Sequence, residues 1–178
     1  MTSVTFKPLG ISDEQLALMK QNGLKLDKRT QRSLTSGADN PKPDAGQISK
    51  FESSIGYSFP DDYRKFLIDH NGGKPSPNGV SLPEIASLKG TALSYLHGFN
   101  HGYSDYTLRG VWKKFSKELK KNYIPIGGDP AGNYFLMDLS ESGNGGIYFW
   151  NRDVLEGDDE SEIVKIAGSF SEFLNLLH

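Results

Sequence analysis

The chain has 178 residues, which is enough for one folded domain, and 10 Phe, 8 Tyr and 2 Trp supply apolar surface for its core. It contains no cysteine, which excludes a disulfide framework, thiolate metal sites and a cysteine nucleophile and fits a reducing compartment. The N-terminus lacks the apolar stretch of a secretion signal, and no 18 apolar residues run together. We therefore expect a cytoplasmic protein without a membrane span.

The net charge of −2 is unevenly distributed along the chain. Residues 129–178 carry ten acidic residues against Arg152 and Lys165, a net charge of −8, whereas residues 100–128 carry six basic residues against two acidic ones. The acidic third argues against nucleic acid as the main partner, because phosphate binding requires Lys and Arg. A basic protein partner would complement such a surface. The alternative is an acidic face that only favours solubility.

The first 44 residues predict a short helix followed by a linker. Ser12 and Gln15 stand at the spacing of a capping box, and Gly23 can end the helix in the left-handed conformation. Residues 26–46 are polar and rich in turn-forming residues, which is typical of a linker. We therefore expect residues 1–44 to be an N-terminal arm or linker with one short helix and residues 45–178 to be the domain.

The domain begins with two predicted helices. Asp44 and Gln47 form a second capping box, and Gly56 can end that helix. The next helix follows Pro60, where two aspartates favour the positive end of its dipole. The apolar residues that recur at helical spacing are Ile48, Phe51 and Ile55 in the first helix and Tyr63, Phe66 and Leu67 in the second.

Residues 108–119 have the clearest amphipathic pattern in the chain. The apolar positions are Leu108, Val111, Trp112, Phe115 and Leu119. The opposite face carries Arg109, Lys113, Lys114, Lys117, Lys120 and Lys121. This pattern predicts a helix with one buried face and one strongly basic face.

From Tyr123 onward the apolar period changes from helical spacing to two. Short aromatic-rich runs at residues 123–126, 134–139 and 146–151, with a fourth run at 163–166, predict an antiparallel meander. A last helix is predicted with Phe170, Phe173 and Leu174 on its apolar side. Helices before and after hairpin-linked strands indicate an α+β fold.

Several motifs in the domain resemble the SMI1/KNR4 (SUKH) family. Residues 52–67 follow the pattern E-x-x-x-G-x-x-L-P-x-D-Y-x-x-F-L, with Phe59 in place of the usual Leu, and Asn71-Gly72-Gly73 follows as N-G-G. The second half agrees through the residue runs 123–129, 132–134 and 147–150 and through Phe170, Phe173 and Leu174. The resemblance spans about Ile48 to His178 and leaves the N-terminal arm outside.

The resemblance implies a single-domain α+β fold in which an antiparallel or mixed sheet is flanked by helices. It also implies function, since bacterial members are commonly immunity proteins that bind and neutralise secreted toxins, often nucleases, while fungal members are scaffolding regulators of cell-wall synthesis. The hypothesis is therefore an immunity-type protein whose partner is a toxin domain, not an enzyme. A regulatory or scaffolding module without a toxin partner is the second hypothesis, and an enzyme is the third.

Candidate catalytic and metal-binding groups do not converge in the sequence. His97 and His101 stand four residues apart, but Gly98 and Gly102 oppose the helix that would bring both rings to one metal, so we expect a polar loop with two solvated histidines. The glycine-rich residues 127–133 match neither a dinucleotide-binding motif nor a P-loop, and we expect Asp129 and Asn133 to form a turn there. We expect no catalytic residue, no cofactor and no metal.

Partner-binding candidates come from charge and from aromatic side chains. Phe149 and Trp150 are neighbours on a predicted strand, so one of them faces solvent unless another element covers it, and an exposed aromatic there would be a binding anchor. The candidates are Asp158, Asp159, Glu160, Glu162, Trp150, Tyr103 and Asp105. We expect a monomer or a weak homodimer, with no nucleic-acid partner and no membrane partner.

Overall fold

A computed structural model describes residues 3–35, 41–85, 87–152 and 163–178. Its helices are α1 (Asp13–Gln21), α2 (Lys28–Thr35), α3 (Ala45–Ile55), α4 (Asp61–His70), α5 (Leu108–Phe115) and α6 (Phe170–Asn175), with a 3-10 helix at Ser104–Tyr106. Its strands are β1 (Thr5–Lys7), β2 (Lys74–Ser76), β3 (Gly79–Leu82), β4 (Lys89–Ala92), β5 (Tyr95–Leu96), β6 (Tyr123–Gly128), β7 (Tyr134–Asp138), β8 (Ile147–Trp150) and β9 (Ile163–Ala167). Among the described residues, every helix is too short or too polar to cross a membrane.

The main sheet has five strands in the order β5-β6-β7-β8-β9, and each strand is antiparallel to its neighbours. Two small antiparallel sheets, β1-β2 and β3-β4, lie outside it. Because successive strands in chain order are neighbours in the sheet, β6 to β9 form the meander that the sequence predicts. The structure confirms the α+β fold.

Side chains along each strand alternate between the two faces of the main sheet, and both faces are covered by other elements. On one face, Phe135 and Phe149 lie in the large core that also contains buried residues of α3, α4 and α6, and the Phe135 ring centroid is 5.3 Å from that of Phe173. On the other face, Val111 and Phe115 of α5 cover Tyr134, Leu136 and Trp150. Burial on both faces explains why the strands are apolar at consecutive positions.

Local sequence signals place the helix ends correctly. Both predicted capping boxes are present, Ser12 with Gln15 and Asp44 with Gln47. Gly56 ends α3 in the left-handed conformation with φ of 80°. Helix α5 is shorter than predicted, since it ends at Phe115, and the residues that follow form turns in which the Leu119 amide still donates to the Phe115 carbonyl at 3.0 Å.

The N-terminal arm contains more structure than the one short helix expected. Strand β1 pairs with β2, the Phe6 ring centroid lies 5.0 Å from that of Phe66, and Leu9 is buried. Helix α2 lies in the stretch that the sequence assigned to a linker, and Asp27 caps it by accepting the amides of Arg29 and Thr30 at 2.8 and 2.9 Å. The residues that pair with β1 stand about seventy positions later, so no local pattern could have indicated this contact.

Candidate functional site

Residues 98–106, here called the Tyr103 loop, form one wall of a cleft of about 820 Å³. The side chain of Tyr103 is 46% exposed, and its ring packs edge-on against Tyr106 with centroids 5.4 Å apart. The opposite wall belongs to the N-terminal arm and consists of Asp27, Arg29, Thr30, Ser33 and Leu34. The arm therefore contributes half of a surface that the sequence placed in the domain alone.

The Asn71-Gly72-Gly73 motif holds the base of the Tyr103 loop. Asn71 ends α4 in the left-handed conformation, and its side-chain oxygen accepts the Phe99 amide at 2.7 Å. Gly98 approaches so closely that an added Cβ would lie 2.2 Å from the Asn71 carbonyl oxygen. A Cβ on Gly72 would lie 2.6 Å from the Leu96 carbonyl oxygen. These close approaches require glycine, so the motif fixes where the loop leaves the sheet.

Asp105 joins the Tyr103 loop to α5. Its carboxylate accepts from the Lys114 ammonium at 3.1 Å, and this hydrogen bond raises the pKa of Lys114. Both side chains are a little over 40% exposed, so the pair contributes modestly to stability. Asp105 remains accessible beside Tyr103 and can contact a partner.

The expectation of two solvated histidines is wrong for His97. Its ring is fully buried between Tyr95 and Tyr134, at centroid distances of 5.2 and 6.3 Å, and neither ring nitrogen makes a hydrogen bond. Burial lowers the pKa of His97 to about 3, so the ring is neutral. His101 is half-buried, and its Nδ1 accepts the Tyr103 amide at 2.9 Å. In the residues that the structure describes, no three His, Cys, Asp or Glu side chains are grouped to hold a metal ion.

The expectation that Trp150 offers an exposed anchor is also wrong. Trp150 is 3% exposed because α5 covers it, with the Phe115 ring centroid 5.1 Å away, while Phe149 is buried on the opposite face of the sheet. Trp150 is nevertheless connected to Tyr103 through a continuous series of ring contacts. The series runs through Tyr106, Tyr95, His97, Tyr134 and Phe115. Trp150 therefore supports the candidate surface from inside.

The acidic candidates Asp158, Asp159, Glu160 and Glu162 lie outside the described residues. The structure describes the residues that flank them. Trp150 pairs with Ile163 across β8 and β9, and the Arg152 amide donates to the Asn133 side-chain oxygen at 2.9 Å. The Arg152 guanidinium lies 4.9 Å from the ring centroids of Phe115 and Trp150 and bonds Glu118 at 3.3 Å. The chain is thus held firmly just before the acidic residues begin.

The predicted turn at Asp129 and Asn133 fixes the position of the chain at the end of β8. Asp129 Oδ1 accepts the amides of Ala131 and Asn133 at 2.9 and 2.8 Å, and its Oδ2 accepts from the Asn133 side-chain amide at 3.1 Å. The Thr91 hydroxyl donates to the same Oδ2 at 3.0 Å. Because Asn133 in turn accepts the Arg152 amide, one buried carboxylate fixes the β6-β7 turn and the end of β8 together.

These surfaces belong to a small α+β domain, and the candidate binding residues Tyr103 and Asp105 lie on its Tyr103 loop. Residues 42–176 match the SMI1 / KNR4 family (SUKH-1). The match covers most of the chain, and the protein belongs to this family. The chain is similar to Uncharacterized protein YnaB of Bacillus subtilis (strain 168), with 27% identity over 131 residues, 74% of this chain and 73% of that protein. The family is generally non-enzymatic.

Proposed function

We propose that the protein is an immunity-type binding protein that neutralises a secreted bacterial toxin domain by stoichiometric protein–protein binding in the cytoplasm. The family match over residues 42–176 carries the proposal, because bacterial members are commonly immunity proteins. Two features of this chain support it, namely the acidic residues after β8 and the braced Tyr103 loop.

The acidic residues suit a toxin that acts on nucleic acid. Residues 153–162 contain six acidic and no basic side chains. A nuclease active site collects Lys and Arg to bind phosphates. An acidic segment complements that site, accelerates the encounter through long-range attraction and excludes the substrate once bound. Asp158, Asp159 and Glu160 would make the central contacts.

The Tyr103 loop supplies the kind of side chain that anchors an interface. Tyr103 is an exposed aromatic on a loop that Asn71 and the Asp105–Lys114 ion pair hold in place. A braced side chain loses little conformational entropy on binding, so more of its contact energy remains as affinity. Tyrosine is also among the residues enriched at interface centres. We therefore assign Tyr103 to slowing dissociation and the acidic residues to accelerating association.

The test measures association and dissociation rates with a catalytically inactive form of a toxin domain secreted by a competing bacterial strain. Asp158→Lys, Asp159→Lys and Glu160→Lys together should lower the association rate more than tenfold. The rate of the unmodified protein should also fall steeply between about 0.1 and 1 M salt, where the Debye length shrinks from about 10 to 3 Å.

A matched control reverses the same number of charges elsewhere. Glu14, Glu84 and Glu141 are exposed and are changed to Lys together. This variant should associate much faster than the acidic-segment variant, because only its overall charge has changed. Equal rates for the two variants, or a rate independent of salt, would remove the acidic segment from the interface. Several weak partners in place of one tight toxin complex would favour a regulatory module instead.

A further inference from the structure

A second surface, which shares no lining residue with the Tyr103 loop, lies between α3 and α5. It is a groove of about 270 Å³ between the end of α3 and the residues around the C-terminus of α5. Its apolar lining includes Ile55, Trp112, Leu119 and Pro125, while Lys120 and Lys121 stand at its edge. Ile55, Trp112 and Leu119 are half-buried, so they remain accessible from the groove.

The stretch of chain that contributes to this groove is strongly basic. Lys120 and Lys121 are exposed at the groove itself, and Lys113 and Lys117 are exposed on the same stretch. In the described part of the chain, the ion pairs of this stretch are Lys114 with Asp105 and Glu118 with Arg152, so the four exposed lysines form none. The one carboxylate on the same stretch, Glu118, already bonds Arg152. The groove is therefore an apolar depression beside uncompensated positive charge.

The size of the groove limits what fits it. Small-molecule pockets usually have volumes of about 300–1,000 Å³, and this groove lies below that range. One bulky apolar side chain fits, and the lysines would then contact carboxylates beside it in the same ligand. Interfaces often combine such a central apolar anchor with complementary charge at the rim.

Nucleic acid fits this surface less well. Single strands bind on exposed aromatic faces that stack with successive bases along a basic track. Trp112 is half-buried and meets Phe51 edge-on, with centroids 6.5 Å apart. Of the other two aromatic residues in the lining, Phe115 is buried and Tyr123 is half-buried, so none of the three offers a fully exposed ring face. The net charge of −2 also disfavours a polyanion.

We propose that this groove is a docking site for an acidic segment of a partner protein, with one bulky apolar side chain seated between Ile55, Trp112 and Leu119 and flanking carboxylates paired with Lys120 and Lys121. Docking at this groove would not require a toxin partner. One protein would then present a negative and a positive docking surface to different partners.

The probe is an acidic peptide with one Phe between runs of Glu, titrated against the full chain while tryptophan fluorescence is recorded. The chain has 2 Trp, of which Trp112 lines the groove and Trp150 is buried, so a change on binding that is lost in Trp112→Phe locates the peptide. Lys120→Glu with Lys121→Glu should weaken binding at least tenfold. Ile55→Ser, and a peptide with Ser in place of Phe, should weaken it at least fivefold.

The control is Lys20→Glu with Lys25→Glu, which makes the same change in net charge at exposed positions of the N-terminal arm and should leave the affinity within twofold. Equal weakening by both double variants would overturn the proposal in favour of unspecific attraction. Tighter binding of a single-stranded oligonucleotide with the same fluorescence change would replace it with a nucleic-acid site. Tighter peptide binding after Asp158→Asn, Asp159→Asn and Glu160→Gln would mean that the chain's own acidic residues occupy the groove.

Discussion

One guanidinium nitrogen of Arg64 donates to both carboxylate oxygens of Glu52, at 2.7 and 2.9 Å. The same carboxylate accepts the backbone amide of Phe59 at 2.6 Å. Glu52 is buried, whereas the Arg64 side chain is 33% exposed. Glu52 thus ties α3 to the turn before α4, which is a structural role for the glutamate that opens the E-x-x-x-G pattern.

Replacing Glu52 with Ala should lower the free energy of unfolding by about 2–4 kcal/mol. The variant leaves a buried amide at Phe59 without an acceptor and removes the partner of a half-buried guanidinium. Glu52→Gln keeps an acceptor and should cost less. Lys65→Ala, which breaks the exposed pair with Asp69, should change stability by less than about 1 kcal/mol. Urea unfolding curves measure all three, and a cost for Glu52→Ala as small as that for Lys65→Ala would contradict the structural role.

Truncating Phe66 or Phe173 to Ala should each cost about 3–5 kcal/mol, the usual range for a buried phenylalanine. Phe66 of α4 packs against Phe170 of α6 and Phe6 of the N-terminal arm, and Phe173 packs against Phe135 of the sheet. Leu18 is 58% exposed, so Leu18→Ala should stay within about 0.5 kcal/mol. Denaturant melts with less than about 1 kcal/mol at both phenylalanines would contradict the packing.

Deleting residues 1–43 should leave a domain that unfolds cooperatively but is about 2–4 kcal/mol less stable. The deletion removes the β1-β2 pairing and the contact of Phe6 with Phe66, and it exposes the surface that Leu9 covers. It keeps Asp44, which caps α3. Phe6→Ala in the full chain should reproduce part of the loss. A broad, non-cooperative transition would show that the arm completes the core.

His97 should make stability fall as the medium becomes acidic. Burial lowers its pKa to about 3 in the folded protein, whereas an unfolded histidine titrates near 6.5, so between these values only the unfolded state takes up the proton. The stability is fully present above about pH 6.5 and is lost progressively as the pH falls toward about 3.

The measurement compares unfolding free energies of the natural chain and His97→Leu across that range. The leucine variant should lose this slope, while His178→Gln, at an exposed position, should retain it. Because other groups titrate identically in each protein, the difference between the slopes isolates His97. Parallel pH profiles for the natural chain and His97→Leu would show that His97 gains a proton in the folded state.

Tyr103 and Trp150 should respond in opposite ways to truncation. Tyr103→Ala should leave the melting curve nearly unchanged, because Tyr103 is exposed. The same variant should raise the dissociation rate of the proposed toxin complex at least tenfold, because it removes the proposed aromatic anchor. Trp150→Ala should instead destabilise the fold by about 3–5 kcal/mol, because Trp150 is buried under α5. A normal dissociation rate for Tyr103→Ala would place the anchor elsewhere.

The sequence predicted the parts of the fold that depend on near neighbours. The capping box of Ser12 with Gln15, the left-handed Gly56 and the turn at Asp129 each depend on residues within a few positions, and all are confirmed. The meander was also predictable, because its strands are adjacent in chain order.

The candidate site was predicted less completely because it depends on distant contacts. Trp150 is covered by a helix that stands some forty positions earlier, and His97 is enclosed by Tyr95, two residues before it, and by Tyr134 of β7. The cleft beside Tyr103 needs α2, whose start at Asp27 carried a local capping signal that could have been recognised. Burial of this kind follows from the assembled sheet and leaves no periodic trace in the sequence.

Trp150 pairs with Ile163 across β8 and β9, so the two ends of the chain segment that connects these strands are held next to each other. Loop-closure entropy grows slowly, by about 0.6 kcal/mol for each doubling of length. Changes in the length or sequence of residues 153–162 should therefore cost little folding free energy. Under the proposed function, exchanging this segment between family members should redirect the same domain to a different toxin.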